Sequence, residues 1–225
     1  MQGTKAAWHH LPRRQQEDFS EDTSSFKVPC VIVTTSAENW SMEELSSVSI
    51  DDEKAGETIV DYLIDHGHTK IAEIGANLEL SQTAILRHNG YLNSFKKHGI
   101  TPDERYYEKA RFSYDSAYHA MKKLLEKDIE ITAVYAISDV MAIGAIRAIL
   151  DKGLRVPDDI SITGFDGSTL AEYYNPKIVS IRQPHKDMAA HSVELLFSMI
   201  DLHKGSCHEI IPFELTEGES VARID

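Results

Sequence analysis

The chain has 225 residues, 42% of them hydrophobic and 26% charged, and a formal net charge of −13 at pH 7. This composition is typical of a globular protein of one or two domains, and the negative charge disfavours direct contact with the phosphate backbone of DNA, which requires clustered Lys and Arg. Two cysteines are too few for a disulfide framework, and no apolar run of about 20 residues or signal-peptide core is visible, which predicts a cytoplasmic protein without a membrane partner.

Residues 1–27 are polar and show no sustained period, so we predict an irregular N-terminal segment. From residue 28 onward, short runs of β-branched and apolar residues alternate with longer segments in which apolar residues recur every three or four positions. These patterns indicate strands and helices in turn, and therefore an α/β protein with parallel sheets flanked by helices. The predicted strands lie at 28–35, 47–50, 70–74, 106–110, 132–137, 160–163, 178–181, 208–214 and 220–224.

Polar residues that accept backbone N–H bonds open several of the predicted helices, and glycines end them. Gly67, Gly99 and Gly153 supply the left-handed conformation that follows a helix C-terminus. The predicted helices begin at or near Asp51, Ser81, Ser113, Asp139, Leu170 and Pro184.

The segment 132–166 reads as a complete strand, helix and strand unit. The helix opens at Asp139, which we predict as its N-cap, and the two strands must run parallel because the helix carries the chain back to the starting edge of the sheet. Ser138, Asp139 and Asp166 therefore follow strands at the same carboxyl edge, where open α/β folds bind ligands.

This unit resembles the signature of the LacI/GalR family of bacterial transcription regulators. The matching features are Ser138-Asp139 at the strand exit, MAIGA at 141–145 and GLRVPDDISITGFDG at 153–167. The resemblance continues in SVSIDDEKAGETIVDYLIDHGHTKIAEIG at 47–75, in RHNGY at 87–91 and in IRQP at 181–184. It covers the chain from residue 28 to the C-terminus.

The resemblance implies a two-lobed periplasmic-binding-protein-like fold whose first lobe is incomplete. Residues 28–50 plus 183–208 would form a partial N-terminal lobe, and residues 51–182 plus 209–225 the C-terminal lobe. No helix-turn-helix headpiece is visible, so the chain is expected to be N-terminally truncated. The family further implies a homodimer of the full-length protein, and contact with operator DNA through that headpiece.

The resemblance also implies a small-molecule effector, a sugar or sugar derivative, bound between the lobes. Planar donors and acceptors with an aromatic face suit such a ligand, since each unpaired buried hydroxyl costs about 1 to 3 kcal/mol. Arg87 would bind hydroxyls or carboxylates with its planar guanidinium, although a helical Arg is also an ordinary surface charge. Phe112 would stack on the effector ring, or pack in the core. The expected ligand-binding residues are Arg87, Phe112, Ser138, Asp139, Asp166, Gln183, Thr34 and Ile50.

Two other functions compete with this interpretation, an enzyme and a transport protein. An enzyme is not indicated, because the sequence lacks a phosphate loop, a GxSxG elbow, HExxH, a CxxC pair and a coenzyme GxGxxG. His66 and His68 form one pair without a partner carboxylate or thiol and are more often structural, so no metal site is expected, and no cofactor is expected either. A periplasmic-type sugar-binding protein of a transport system shares the two-lobed architecture and remains the alternative function.

Overall fold

The computed structural model describes residues 28–40 and 42–224. Two mainly parallel sheets organise these residues, which confirms the predicted α/β class. The predicted irregular segment 1–27 lies outside the described residues. No helix in the described part of the chain is both long and apolar enough to cross a membrane.

The smaller sheet has three parallel strands in the order β1-β2-β8. Helix α6 packs on β1 and β2 of this sheet. The strands of the smaller sheet are β1 (Cys30–Val33), β2 (Leu45–Ser49) and β8 (His208–Ile210). Helix α6 spans His185–Asp201.

The larger sheet has the order β4-β3-β5-β6-β7-β9, in which β9 runs antiparallel and the other strands run parallel. Its central strands β3, β5 and β6 are buried along almost their whole length, as expected for strands covered by helices. The strands are β3 (Ile71–Gly75), β4 (Tyr107–Lys109), β5 (Ala133–Ala136), β6 (Ser161–Asp166), β7 (Val179–Arg182) and β9 (Glu214–Thr216).

Two helix pairs, α1 with α2 and α3 with α4, pack against this sheet. At the start of each of these four helices, one backbone N–H donates to the side chain of the N-cap residue, which is Asp51, Ser81, Ser113 or Ser138. The helices are α1 (Asp52–Asp65), α2 (Gln82–Lys97), α3 (Tyr114–Glu126), α4 (Asp139–Asp151) and the short α5 (Thr169–Tyr173).

The structure differs from the sequence-based expectations at the end of the chain. The segment predicted as one strand at 208–214 is divided between the two sheets, because β8 pairs with β2 and β9 with β7. The chain therefore returns to the larger sheet after Ile210. The predicted strand at 220–224 is wrong, because these residues form no strand. The segment is still tied to the domain by two backbone hydrogen bonds, in which Ser220 O accepts from Ile162 N and Ile224 N donates to His66 O.

Candidate functional site

The sheet edge beyond β6 brings together two of the predicted ligand-binding residues. Asp166 is the last residue of β6, and Arg87 lies in the second turn of α2. Arg87 Nη1 is 3.7 Å from Asp166 Oδ1. The two side chains differ in exposure, since that of Arg87 is 3% exposed and that of Asp166 21% exposed. Asp166 is therefore the member of the pair that a ligand can reach directly.

Arg87 is held in place by groups of the protein itself. Its Nε donates to Asp52 Oδ1 at 2.8 Å, and its Nη1 donates to the carbonyl oxygen of Ile137 at 2.6 Å. Its guanidinium carbon lies 3.5 Å from the centroid of the Phe165 ring, a cation–π contact. Burial raises the pKa of Asp52, and the adjacent guanidinium opposes this shift. A buried guanidinium with three such contacts is held in one orientation. This orientation places Arg87 Nη1 near Asp166 Oδ1.

Gln183 also contacts Asp166, at the same carboxylate oxygen that lies near Arg87. Its Nε2 donates to Asp166 Oδ1 at 2.8 Å, and its backbone N–H donates to the Asp166 carbonyl at 3.2 Å. Gln183 follows β7 and precedes α6, the helix that packs on the smaller sheet. The predicted trio of Arg87, Asp166 and Gln183 is thus assembled at the point where the chain leaves the larger sheet for the smaller one.

The N-cap of α4 differs from the predicted one. The N-cap of α4 is Ser138, whose Oγ accepts from Met141 N, so the prediction that Asp139 is the N-cap is wrong. Asp139 is instead the first helical residue, with its side chain directed to Ser168 N and Ser180 Oγ, each 2.6 Å away. A serine hydroxyl is sufficient to cap the helix, and this leaves the carboxylate free for those contacts. Burial raises the pKa of Asp139 to about 6.

The other predicted site residues are Thr34, Ile50 and Phe112, and among the contacts of the described residues neither Thr34 nor Ile50 makes a hydrogen bond or ion pair with this trio. Thr34 and Ile50 follow β1 and β2, and so belong to the smaller sheet. Thr34 adopts a left-handed φ of 73°, and Ile50 is buried. Phe112 precedes the N-cap of α3 and packs, partly buried, against the core of the larger sheet. Ligand contact by these three residues stays a prediction.

Several residues that build the site are absent from the predicted set, namely Asp52, Phe165, Ser168 and Ser180. A signal for Asp52 was available, because one carboxylate is enough to cap α1 and Asp51 performs that role. Its neighbour Asp52 was therefore left without a local partner. The pairing with Arg87, 35 positions away, depends on how α1 and α2 pack.

The histidines considered as metal ligands have other contacts. His68 is buried, with its ring nitrogens 3.1 Å from Thr132 Oγ1 and 3.0 Å from the carbonyl oxygen of Ala222, and His66 Nδ1 lies 2.7 Å from the carbonyl of Tyr62. Across residues 28–40 and 42–224, no group of three or more His, Cys, Asp or Glu is arranged to hold a metal ion.

Comparisons with known proteins relate this architecture to a class of regulators. The family described as a periplasmic binding protein-like domain matches residues 60–221. The HTH-type transcriptional regulator MalR of Clostridium butyricum is 39% identical over 210 residues, which cover 93% of this chain and 62% of MalR. The chain therefore spans about six-tenths of the length of that relative.

Two solved structures share the fold. A transcriptional regulator LacI from Bacillus cereus subsp. cytotoxis NVH 391-98 has a TM-score of 0.85 at 23% identity, covering 94% of this chain and 74% of that one. A complex of the transcriptional regulator CelR with cellobiose has a TM-score of 0.78 at 26% identity, covering 91% of this chain and 69% of that one.

Proposed function

Because this chain belongs to the LacI/GalR family and contains its periplasmic binding protein-like domain, we propose that it is the effector-binding part of a ligand-responsive transcription regulator. The observation that carries the proposal is the arrangement at Asp166. A partly exposed carboxylate is oriented by Gln183 Nε2 at 2.8 Å and by the Arg87 guanidinium at 3.7 Å. A carboxylate fixed in this way accepts hydrogen bonds from a ligand with little loss of conformational entropy.

The effector that fits this site best is a sugar or sugar derivative. Ligand hydroxyl groups would donate to Asp166, and Arg87 would contribute mainly through its positive charge, because its N–H groups are partly engaged by Asp52 and Ile137. The cellobiose bound by the structurally similar CelR supports this ligand class. Thr34 and Ile50, at the strand exits of the smaller sheet, are proposed to line the opposite side of the ligand.

A transport-type sugar-binding protein is the second candidate, and the relative with 39% identity favours regulation over it. In the proposed function, the ligand binds the two conformations of the domain with different affinity and so shifts their populations. A homodimer would transmit this shift to operator DNA through a helix-turn-helix headpiece.

The test is a ligand screen followed by one substitution. A panel of mono- and disaccharides that includes cellobiose, together with nucleobases, is screened by thermal shift, since a ligand at about 100 times its Kd stabilises the folded state by about 2.7 kcal/mol. Asp166→Asn should then weaken the ligand by about 1.5 to 3 kcal/mol, the range for hydrogen bonds to charged groups. Asp158→Asn, at an exposed carboxylate paired with Arg155, is the control. Equal affinity of parent and Asp166→Asn would refute the site.

A further inference from the structure

Asp139 and Ser180 together hold the turn that follows β6. Asp139 Oδ1 accepts from Ser180 Oγ and Asp139 Oδ2 accepts from Ser168 N, both at 2.6 Å. Ser180 Oγ in turn accepts from Gly167 N at 3.1 Å. Two successive backbone N–H groups of the turn are therefore bound by two side chains that are each only 1% exposed.

The backbone of this turn has a conformation that its surroundings must maintain. Asp166 has a φ of 108° and Gly167 a φ of 63°, so two consecutive residues lie at positive φ. Glycine adopts such values readily, whereas an aspartate rarely does, and a residue of this kind persists where neighbouring contacts determine it. The hydrogen bonds to Gly167 and Ser168 begin immediately after Asp166 and provide such contacts.

The glycine at position 164 shows how closely Asp139 approaches β6. A Cβ atom on Gly164 would lie 2.3 Å from Asp139 Oδ1 and 3.2 Å from Asp139 Cα. The Asp139 carboxylate thus lies against the strand two residues before Asp166, and cannot turn toward the sheet edge without losing both of its hydrogen bonds. It is unsuited to direct ligand contact.

We propose that Asp139 is a positioning residue, which acts with Ser180 to fix the turn at 166–168 and thereby the direction of the Asp166 carboxylate. In this proposal, Asp139 acts on the ligand site through Ser180 and the turn, and does not contact the ligand itself. The consequence for ligand affinity rests on the proposed function, whereas the effect on the orientation of Asp166 does not.

The first experiment needs no ligand, because the side-chain amide of Gln183 reports the position of Asp166. Its Nε2 donates to Asp166 Oδ1. In an NMR spectrum of the full chain, Ser180→Ala and Asp139→Asn should move the Gln183 side-chain signals toward those of a solvent-exposed glutamine and accelerate the exchange of those protons at least about tenfold, as local protection is lost.

Ser161→Ala is the matched control. Ser161 is equally buried on the adjacent strand, and its Oγ accepts from Ala222 N, on the C-terminal segment. The control should lose a comparable hydrogen bond and leave the Gln183 signals unchanged. If Ser180→Ala melts at a lower temperature but keeps the Gln183 signals of the parent, Asp139 and Ser180 are structural and the proposal is wrong. Ser180→Ala retains the Asp139 carboxylate. It therefore allows the same NMR test if Asp139→Asn does not fold.

The second experiment measures affinity for cellobiose, or for whichever sugar of the panel the parent binds, by calorimetry well below the melting temperature. Ser180→Ala should raise the Kd about tenfold or more, as loss of one oriented hydrogen bond does, and Ser161→Ala should not. An unchanged Kd in Ser180→Ala overturns the positioning role. If the parent binds no sugar at all, the proposed effector class fails, while the Gln183 signals still decide the role of Asp139.

Discussion

Arg87 Nε lies 2.8 Å from Asp52 Oδ1, and the two side chains are only 3% and 4% exposed. This ion pair joins α1 to α2 and places the guanidinium beside Asp166. A charge in such an environment depends on its partner, because the desolvation penalty remains when the partner is removed. The pair therefore supports both the stability of the domain and the geometry of the site.

Removal of Asp52 should be strongly destabilising. We expect Asp52→Ala to lower the free energy of unfolding by about 3 to 5 kcal/mol, since Arg87 would keep a buried, uncompensated charge. Urea unfolding followed by circular dichroism measures the change. The control is Asp158→Ala, which removes a carboxylate from an exposed pair with Arg155 and should leave stability nearly unchanged. An equal decrease in the free energy of unfolding in both variants would show that the buried pair stabilises the domain no more than the exposed pair does.

The stability of the domain should depend on the ionisation of Asp139. Burial raises the pKa of this carboxyl to about 6 from its usual 3.8, against the hydrogen bonds from Ser180 and Ser168 that favour the ionised form. The folded state thus binds a proton more tightly than the unfolded state. The contribution of Asp139 to the free energy of unfolding should therefore fall as pH rises from about 4 to about 6, by up to about 3 kcal/mol.

Asp139→Asn cannot ionise and should lack this fall. Denaturant unfolding of parent and variant between pH 4 and pH 7 should show their difference in stability changing in favour of the variant as pH rises. Ser161→Ala contains the same titratable groups as the parent and should keep its pH dependence. Parallel pH profiles for parent and Asp139→Asn would contradict the raised pKa.

Gly144 lies where α3 and α4 cross most closely. A Cβ atom at this position would meet the carbonyl oxygen of Tyr114 at 2.2 Å, so Gly144→Ala must separate the two helices. The gain in helix propensity is about 1 kcal/mol, and the overpacking cost of about 1 to 3 kcal/mol should exceed it. We expect a net loss of stability in thermal unfolding. Gly205→Ala has open space around the added atom and should be neutral, and a stabilised Gly144→Ala would disprove the close crossing.

Helix α6 presents an apolar stripe to solvent. Val193, Phe197 and Ile200 are 44%, 59% and 49% exposed at spacings of four and three residues, which place them on one face. We expect this stripe to promote self-association, and Phe197→Lys to shift the sedimentation profile toward monomer. Glu194→Gln gives the same change in net charge on the same helix without altering the stripe. A profile that responds equally to both variants would assign the effect to charge.

Much of the larger sheet was predictable because its signals are local. Apolar β-branched runs marked β3, β5, β6 and β7, and the helices between them were visible as periodic patterns with serine or aspartate at their starts. A helix that follows a strand and returns to the same sheet must give a parallel pair, so the edge at which Asp166 lies followed from chain order.

The sequence by itself determined the α/β class, the family and the position of Asp166 at the carboxyl edge of the larger sheet. It did not determine that Asp52 neutralises Arg87 or that Asp139 binds Ser168 and Ser180, because these partners are 29 to 41 positions apart and meet only through packing. The choice of Ser138 over Asp139 as N-cap had the same origin. Both side chains can cap a helix. The buried donors Ser180 Oγ, on β7, and Ser168 N, in the 166–168 turn, require an acceptor, and the Asp139 carboxylate provides it while Ser138 caps the helix.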